Sequence, residues 1–319
     1  MEYIIETENL TKKYGKKKVL DSVSIHVSQG DIYGLIGRNG AGKTTLMKII
    51  SGLSKQTEGT YSIFGKKSGE LGDITSRRGL LIESPGIYGE YDALTNLAVK
   101  CRLIGITDKE EPKKLLKMIG LESAGKKKAK HFSLGMKQRL GIGIALAGNP
   151  DIVILDEPIN GLDPQGIIEV RDMIHRLNKE NGTTFIISSH ILDELSKIAT
   201  KYGIINNGNL IEESLAADLN SRCESRIELL TDNPTATVNV LEKLGFSQIK
   251  VTDEGKILIF EQFDRTGDIT LALASEGITT FEIVKKLESI ENYYLRLVGK
   301  ESECYDKGIK DRSLPVIQK

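Results

Sequence analysis

Nine consecutive residues, Gly37-Arg38-Asn39-Gly40-Ala41-Gly42-Lys43-Thr44-Thr45, constrain this chain more than any other stretch. They fit G-x-x-x-x-G-K-[ST], the pattern of a phosphate-binding loop. An apolar run, Ile32 to Ile36, precedes them and reads as a buried strand; Leu46 to Ile50 follow and read as a helix start. In a strand–loop–helix unit of this kind the glycines let backbone N–H groups point inward and cradle phosphate oxygens, which makes Gly37, Asn39, Gly40, Ala41, Gly42 and Thr45 candidate nucleotide-site residues. Lys43 can reach the β- and γ-phosphates, and the Thr44 hydroxyl can ligate Mg²⁺. The plain alternative is a glycine-rich turn, which the flanking strand and helix argue against.

A second stretch, Ile152-Val153-Ile154-Leu155-Asp156-Glu157, describes a buried strand that delivers two carboxylates at its carboxyl end. Asp156 would hold Mg²⁺, directly or through water, and Glu157 would polarise an attacking water as general base. A third runs from His131 to Arg139, where Ser133 and Gly135 stand at a helix start; alone, a helix cap by Ser133 is the simpler account. A fourth, Ser188-Ser189-His190, tips the apolar strand Phe185-Ile186-Ile187, and its histidine could meet a γ-phosphate.

The pattern along residues 3–215 alternates strands and helices, which predicts an α/β layer with a largely parallel sheet. Strands are expected at 3–9, 19–27, 60–64, 79–83, 151–155, 183–188, 201–206 and 209–212, with a turn at Tyr14-Gly15. Helical patterns cover 95–119, broken at Gly105 and Pro112, then 135–147, 164–180 and 191–199. Gly141-Ile142-Gly143 follows no strand, so close helix packing explains it better than a dinucleotide site. After about Leu219 the order becomes β-α-β-β-α-β, the ferredoxin-like arrangement, with strands at 225–231, 247–252, 256–261 and 279–284 and helices at 235–244 and 266–275. One more helix is expected at 286–298, then a polar, flexible tail over 300–319.

Charge argues against nucleic acid, since Lys+Arg and Asp+Glu both number 44 and the pI is near 6.9. The clusters Lys16-Lys17-Lys18 and Lys126-Lys127-Lys128 read as solvated turns. Cys101, Cys223 and Cys304 are odd in number and scattered, so neither a disulfide framework nor a zinc site is expected, and a reducing cytosol fits. The first six residues lack the layout of a signal peptide, and no apolar run approaches the roughly 20 residues that span a bilayer. A spanning part, if one is needed, belongs to another chain.

Taken in order, these motifs resemble the ATP-binding subunit of an ABC transporter over residues 3–215. The resemblance implies a P-loop ATPase domain over 1–219 with a helical subdomain near 87–145; the element order after it gives the small α+β ferredoxin-like domain over 220–299. It makes Tyr14 the aromatic that stacks on adenine, Gly37 to Thr45 the Walker A loop and Ser133 to Met136 the signature. Asp156 and Glu157 become Walker B and the catalytic carboxylate, Gly161-Leu162-Asp163 the D-loop, and His190 the switch histidine. ATP and Mg²⁺ are the implied ligands. The implied assembly is a head-to-tail pair, of one chain or two paralogues, in which Ser133 and Gly135 serve the partner's ATP. It would sit peripherally on the cytoplasmic face of the membrane, beside a separate transmembrane permease.

Two departures from the family pattern stand out. The signature reads Phe132-Ser133-Leu134-Gly135-Met136 where L-S-G-G-Q is usual. Glu83 takes the place of the Q-loop glutamine; a carboxylate is a good Mg²⁺ ligand but cannot donate a hydrogen bond. Glu83 therefore counts here among both the catalytic and the metal residues. That glutamate, the run from Asp156 to Gly166 and the extra C-terminal domain are similar to the bacitracin and lantibiotic transporters. Export of, or resistance to, a peptide antibiotic is thus expected, with a general drug, lipid or polysaccharide exporter as the alternative. An ABC ATPase acting on ribosomes or DNA fits less well, because there is one Walker A loop and no sustained heptad run.

Overall fold

The computed structural model describes residues 3–70, 72–222, 225–286 and 290–306, and the chain divides between Ala216 and Ala217 into two units. The first unit opens with β1 (Tyr3–Tyr14), β2 (Lys17–Val23) and β3 (His26–Ser28), then β4 (Ile32–Ile36) and α1 (Lys43–Ile50). β5 (Glu58–Ile63), β6 (Lys66–Lys67) and β7 (Arg78–Leu81) come next. α2 (Ala93–Leu103), α3 (Glu111–Met118) and α4 (Leu134–Leu146) build the helical part. β8 (Ile152–Asp156), α5 (Pro164–Asn181), β9 (Thr184–Ser189), α6 (Leu192–Leu195), β10 (Lys201–Asn206) and β11 (Asn209–Leu215) complete the unit, and α7 (Ala216–Arg222) crosses the division.

β4, β8 and β9 are buried along their whole length, as strands covered on both faces must be; β4 and β8 are nearly unbroken apolar runs, and β9 is apolar at Phe185 to Ile187 with buried hydroxyl residues on either side. All three sit at the centre of a sheet ordered β11-β10-β4-β9-β8-β7, in which every pairing is parallel except β10 with β11. The expected α/β layer is therefore present. An antiparallel sheet, β2-β1-β5-β6 with β3 also on β1, was not foreseen. Apolar side chains of β1, β2 and β5 join those of α1 and the parallel sheet in one core, including Ile5, Leu20, Leu46, Ile63 and Ile154.

Local chemistry sets the helical part. Asp92 caps α2 by accepting from the Thr95 N–H, and Pro112 occupies the first turn of α3, where its missing donor costs nothing. Asn96 is buried and clamps the segment before α2, accepting from the Tyr88 N–H and donating to the Tyr88 carbonyl. Gly141 and Gly143 do serve close packing: a Cβ at Gly141 would stand 2.5 Å from Pro85 Cβ, and one at Gly143 2.8 Å from Ile119 Cδ1. The helix expected over 191–199 shortens to α6, because the turns around it mix i→i−4 bonds with i→i−3 bonds.

The second unit contains β12 (Arg226–Thr231), α8 (Pro234–Lys243), β13 (Ile249–Val251), β14 (Ile257–Ile259), α9 (Thr266–Ser275), β15 (Thr280–Lys286) and α10 (Ile290–Asp306). Its sheet runs β13-β14-β12-β15 with every neighbour antiparallel, the split βαβ order of a ferredoxin-like fold. Ile227 and Leu229 pack with Leu241, Phe246, Ile269 and Leu273 in a core of its own. Glu228 points to the sheet's other face, where its carboxylate meets Lys256 (2.7 Å), Lys286 (2.9 Å) and Arg226 (2.8 Å). Lys256 first, then Lys286 and Arg226, hold its carboxyl down at about 2. The last helix continues to Asp306, past the start expected for the tail; residues 307–319 lie outside the described residues.

Candidate functional site

The carboxyl edge of the parallel sheet gathers the candidate residues, because β4, β9 and β8 are neighbours and all end there. Ligand sites of open α/β sheets sit at this edge. From β4 the chain turns through Gly37 to Gly42 into α1. Gly42 caps the helix at φ 113° and Gly40 holds φ 82°, so side-chain-bearing residues would be strained at both. Lys43 is 6% exposed; its Nζ donates to the Gly37 carbonyl at 2.6 Å and lies 3.4 Å from Glu157 Oε1. Asn39 and Gly40 are exposed, Ala41 is buried, and Thr45 is half-buried on the first turn of α1.

Thr44 donates from Oγ1 to Asp156 Oδ2 at 2.8 Å, which joins the loop to the end of β8. Ser188 of β9 is level with Asp156 in the parallel register. Its hydroxyl donates to Asp156 Oδ1 at 2.5 Å and accepts from the Glu157 N–H at 2.9 Å. Glu157 stands at φ 49°, a left-handed conformation that a residue of its size holds only when its surroundings fix it. The Ser188 hydroxyl on its N–H is one such constraint. The Glu157 carbonyl accepts from the Asn160 N–H at 3.2 Å and from Gln138 Nε2 at 3.4 Å. Its carboxylate lies 2.8 Å from His190 Nδ1; with the proton on that nitrogen the ring is the donor. Loop, metal-type carboxylate, second carboxylate and histidine thus form one connected cluster.

Ser133 caps α4, accepting from the Met136 N–H at 3.2 Å, so the expected helix cap is real. Gly135 sits on the same turn, where a Cβ would be 3.6 Å from Leu162. Leu134 stays 54% exposed, yet its Cδ2 covers Gly161, where an added Cβ would fall 2.7 Å away. Asp163 caps α5 by accepting from the Gly166 N–H. Tyr14 is exposed at the end of β1, with Lys12 Nζ 4.9 Å above its ring. Glu83, on the loop after β7, pairs with Lys48 of α1 at 2.5 Å. Contact with Glu83 raises the pKa of Lys48.

Residues 20–160 match the ABC transporter family. The chain is 40% identical over 300 residues to the bacitracin transport ATP-binding protein BcrA of Enterococcus faecalis, covering 94% of this chain and 97% of that one. The chain belongs to the ABC transporter ATP-binding proteins. The BcrA of Bacillus licheniformis is also 40% identical, over 94% of this chain and 98% of its own. The lantibiotic transport ATP-binding protein SrtF of Streptococcus pyogenes is 42% identical over 66% of this chain and 90% of its own. A dimeric ATP-binding cassette in a post-hydrolysis state, bound to ADP and Pi, superposes with a TM-score of 0.61 at 26% identity, covering 66% of this chain and 98% of that one.

The cluster at the sheet edge brings together Lys43, Thr44, Asp156, Glu157, Ser188 and His190, and is the candidate nucleotide site of this ABC transporter ATP-binding protein. Two residues around it carried no role in the sequence. Ser188 was read only as part of a polar tip; its place between Asp156 and the Glu157 N–H follows from β8 and β9 being neighbours. Lys48 did leave a signal, since it lies four residues after Thr44 and therefore on the same face of α1. Among the described residues no helix is long and apolar enough to cross a membrane.

Proposed function

We propose that this ABC ATPase powers export of, or resistance to, a membrane-active peptide antibiotic of the bacitracin or lantibiotic type. One observation carries the reading. The identity to BcrA spans 300 residues, so it continues beyond the 216 residues of the ATPase unit into the ferredoxin-like one. The work would be done peripherally, on the cytoplasmic face of the membrane, through a separate permease.

In this reading two copies, or this chain and a paralogue, close head to tail on two ATP molecules. Phosphate oxygens take up the donors of Lys43 and of the loop amides from Gly37 to Thr45, and Tyr14 stacks on the adenine. The hard oxygen donors at Thr44 and Asp156, already 2.8 Å apart, suit Mg²⁺, which would neutralise charge on the phosphates; Glu83 is the third candidate ligand. Glu157 takes the proton of the attacking water, and His190 orients that carboxylate and reaches the γ-phosphate. Ser133 and Gly135 present a helix N-terminus to the ATP held by the partner.

The test is resistance in cells that carry this gene with its neighbouring membrane gene, wild type beside Glu157→Gln. A panel of bacitracin, lantibiotics and unrelated drugs is scored. Resistance to a peptide antibiotic that vanishes in the variant is expected. Resistance to unrelated drugs alone would overturn the peptide assignment and favour a general exporter.

A further inference from the structure

Glu83 occupies a left-handed backbone conformation, φ 64°, on the loop that leads from β7 into the helical part. A glutamate keeps such a conformation only where its neighbourhood fixes it. Two contacts do so. On one side Lys48 meets the Glu83 carboxylate at 2.5 Å. On the other, two residues along, Pro85 packs against α4 so closely that only a glycine fits at position 141. The loop is thus tied to the phosphate-loop helix by charge and to the signature helix by packing. The packing side is close, with no room for a Cβ at Gly141 unless a neighbour shifts. The charged side can be exchanged, because a carboxylate has other suitors at this edge of the sheet.

We propose that Lys48 is a positioning residue for Glu83: it ties this carboxylate to α1, fixes the loop that enters the helical subdomain, and must release it when Glu83 turns to the nucleotide's metal. The last step rests on the role given to Glu83 under Proposed function. Lys48 stands one helical turn beyond Thr44, so one face of α1 presents both a metal-type hydroxyl and the lysine that holds the competing carboxylate. The side chains of Lys48 and Glu83 are 31% and 63% exposed, so water screens the pair. Exposed pairs of this kind shift an equilibrium by about fivefold at most. A tie that weak is strong enough to bias the loop and weak enough to be traded for a divalent cation. It also depends on the carboxylate: a glutamine at position 83 has no charge for Lys48 to hold.

The test is a double-mutant cycle on the full-length protein with Lys48→Met, Lys48→Arg, Glu83→Gln and the Lys48→Met/Glu83→Gln pair. Two quantities are read: hydrogen exchange of the backbone amides over 82–92, and the Mg²⁺ concentration that half-saturates binding of a fluorescent ATP analogue. Lys48→Met is expected to speed exchange about threefold and to lower the half-saturating Mg²⁺ by a similar factor. Lys48→Arg should restore both, and Lys48→Met should change neither once Glu83 is glutamine. An equal effect of Lys48→Met in both backgrounds, or none in the wild type, overturns the proposal. If exchange follows the cycle while Glu83→Gln leaves both Mg²⁺ half-saturation and turnover at wild-type values, the tie to α1 stands and the metal role of Glu83 falls.

Discussion

Ser188 shows how a small hydroxyl can brace the proposed catalytic carboxylate through the backbone. It links the fixed Asp156 to the backbone of Glu157, whose φ of 49° needs such support. Ser188→Ala would leave the Glu157 N–H without that partner, at a cost of about 1–3 kcal/mol. Steady-state ATPase assays should show turnover falling about tenfold or more with nucleotide affinity near wild type; unchanged turnover would make Ser188 a bystander. Lys43→Ala, in contrast, should lose nucleotide affinity itself, as read by binding of a fluorescent ATP analogue. Near-normal binding would count against the loop assignment. At this scale the sequence was highly legible wherever a motif is contiguous. Gly37 to Thr45 and Asp156-Glu157 announce a candidate phosphate and metal site through neighbours in the chain, and the structure brings the two stretches together. Ser188 and Lys48 did not, because their partners lie 32 and 35 residues away and meet them only once the strands are ordered.

Two elements carry predictions of their own. Gly141→Ala on α4 sets propensity against packing. Alanine favours a helix by about 1 kcal/mol over glycine, whereas overpacking costs about 1–3 kcal/mol. The added methyl would press on Pro85 at 2.5 Å and on Leu81 at 3.1 Å, so packing should win and Tm should drop. A raised Tm would show that the loop gives way. In the second unit, Glu228 gains stability from its three cations. Its carboxyl is lowered in the folded state, so that stability is complete above the usual glutamate range near 4.5 and drains away as pH falls toward about 2. Urea unfolding followed by circular dichroism, a suitable signal in a chain without tryptophan, should show Glu228→Gln less stable than wild type at neutral pH. The gap should close as pH falls from 4.5 to 2; a gap that persists at low pH would contradict the ionic account. Element types were legible where runs are buried on both faces, as in β4, β8 and β9. They were less so in β1, whose twelve residues lose the period of two at register shifts near Leu10 and Lys12, so only its first half was visible. The antiparallel sheet built on β1 went unseen for the same reason.

The whole molecule joins one ATPase unit, proposed to complete its sites with a second copy, to a ferredoxin-like unit into which the identity to the bacitracin relatives continues. The fold class of both units followed from the alternation of elements, since β-α-β-β-α-β admits few sheet orders and the observed β13-β14-β12-β15 is the favoured one. In the proposed head-to-tail pair each site is completed by the copy facing it. The most direct measurement is therefore made on purified protein with Glu157→Gln beside wild type: ATP turnover and oligomeric state by light scattering, with ATP and Mg²⁺ present. The account predicts that the variant binds ATP, turns over nearly none of it and accumulates as a dimer, whereas wild type hydrolyses ATP and returns to monomer. A variant that hydrolyses ATP at the wild-type rate would contradict the assignment of Glu157 as the base.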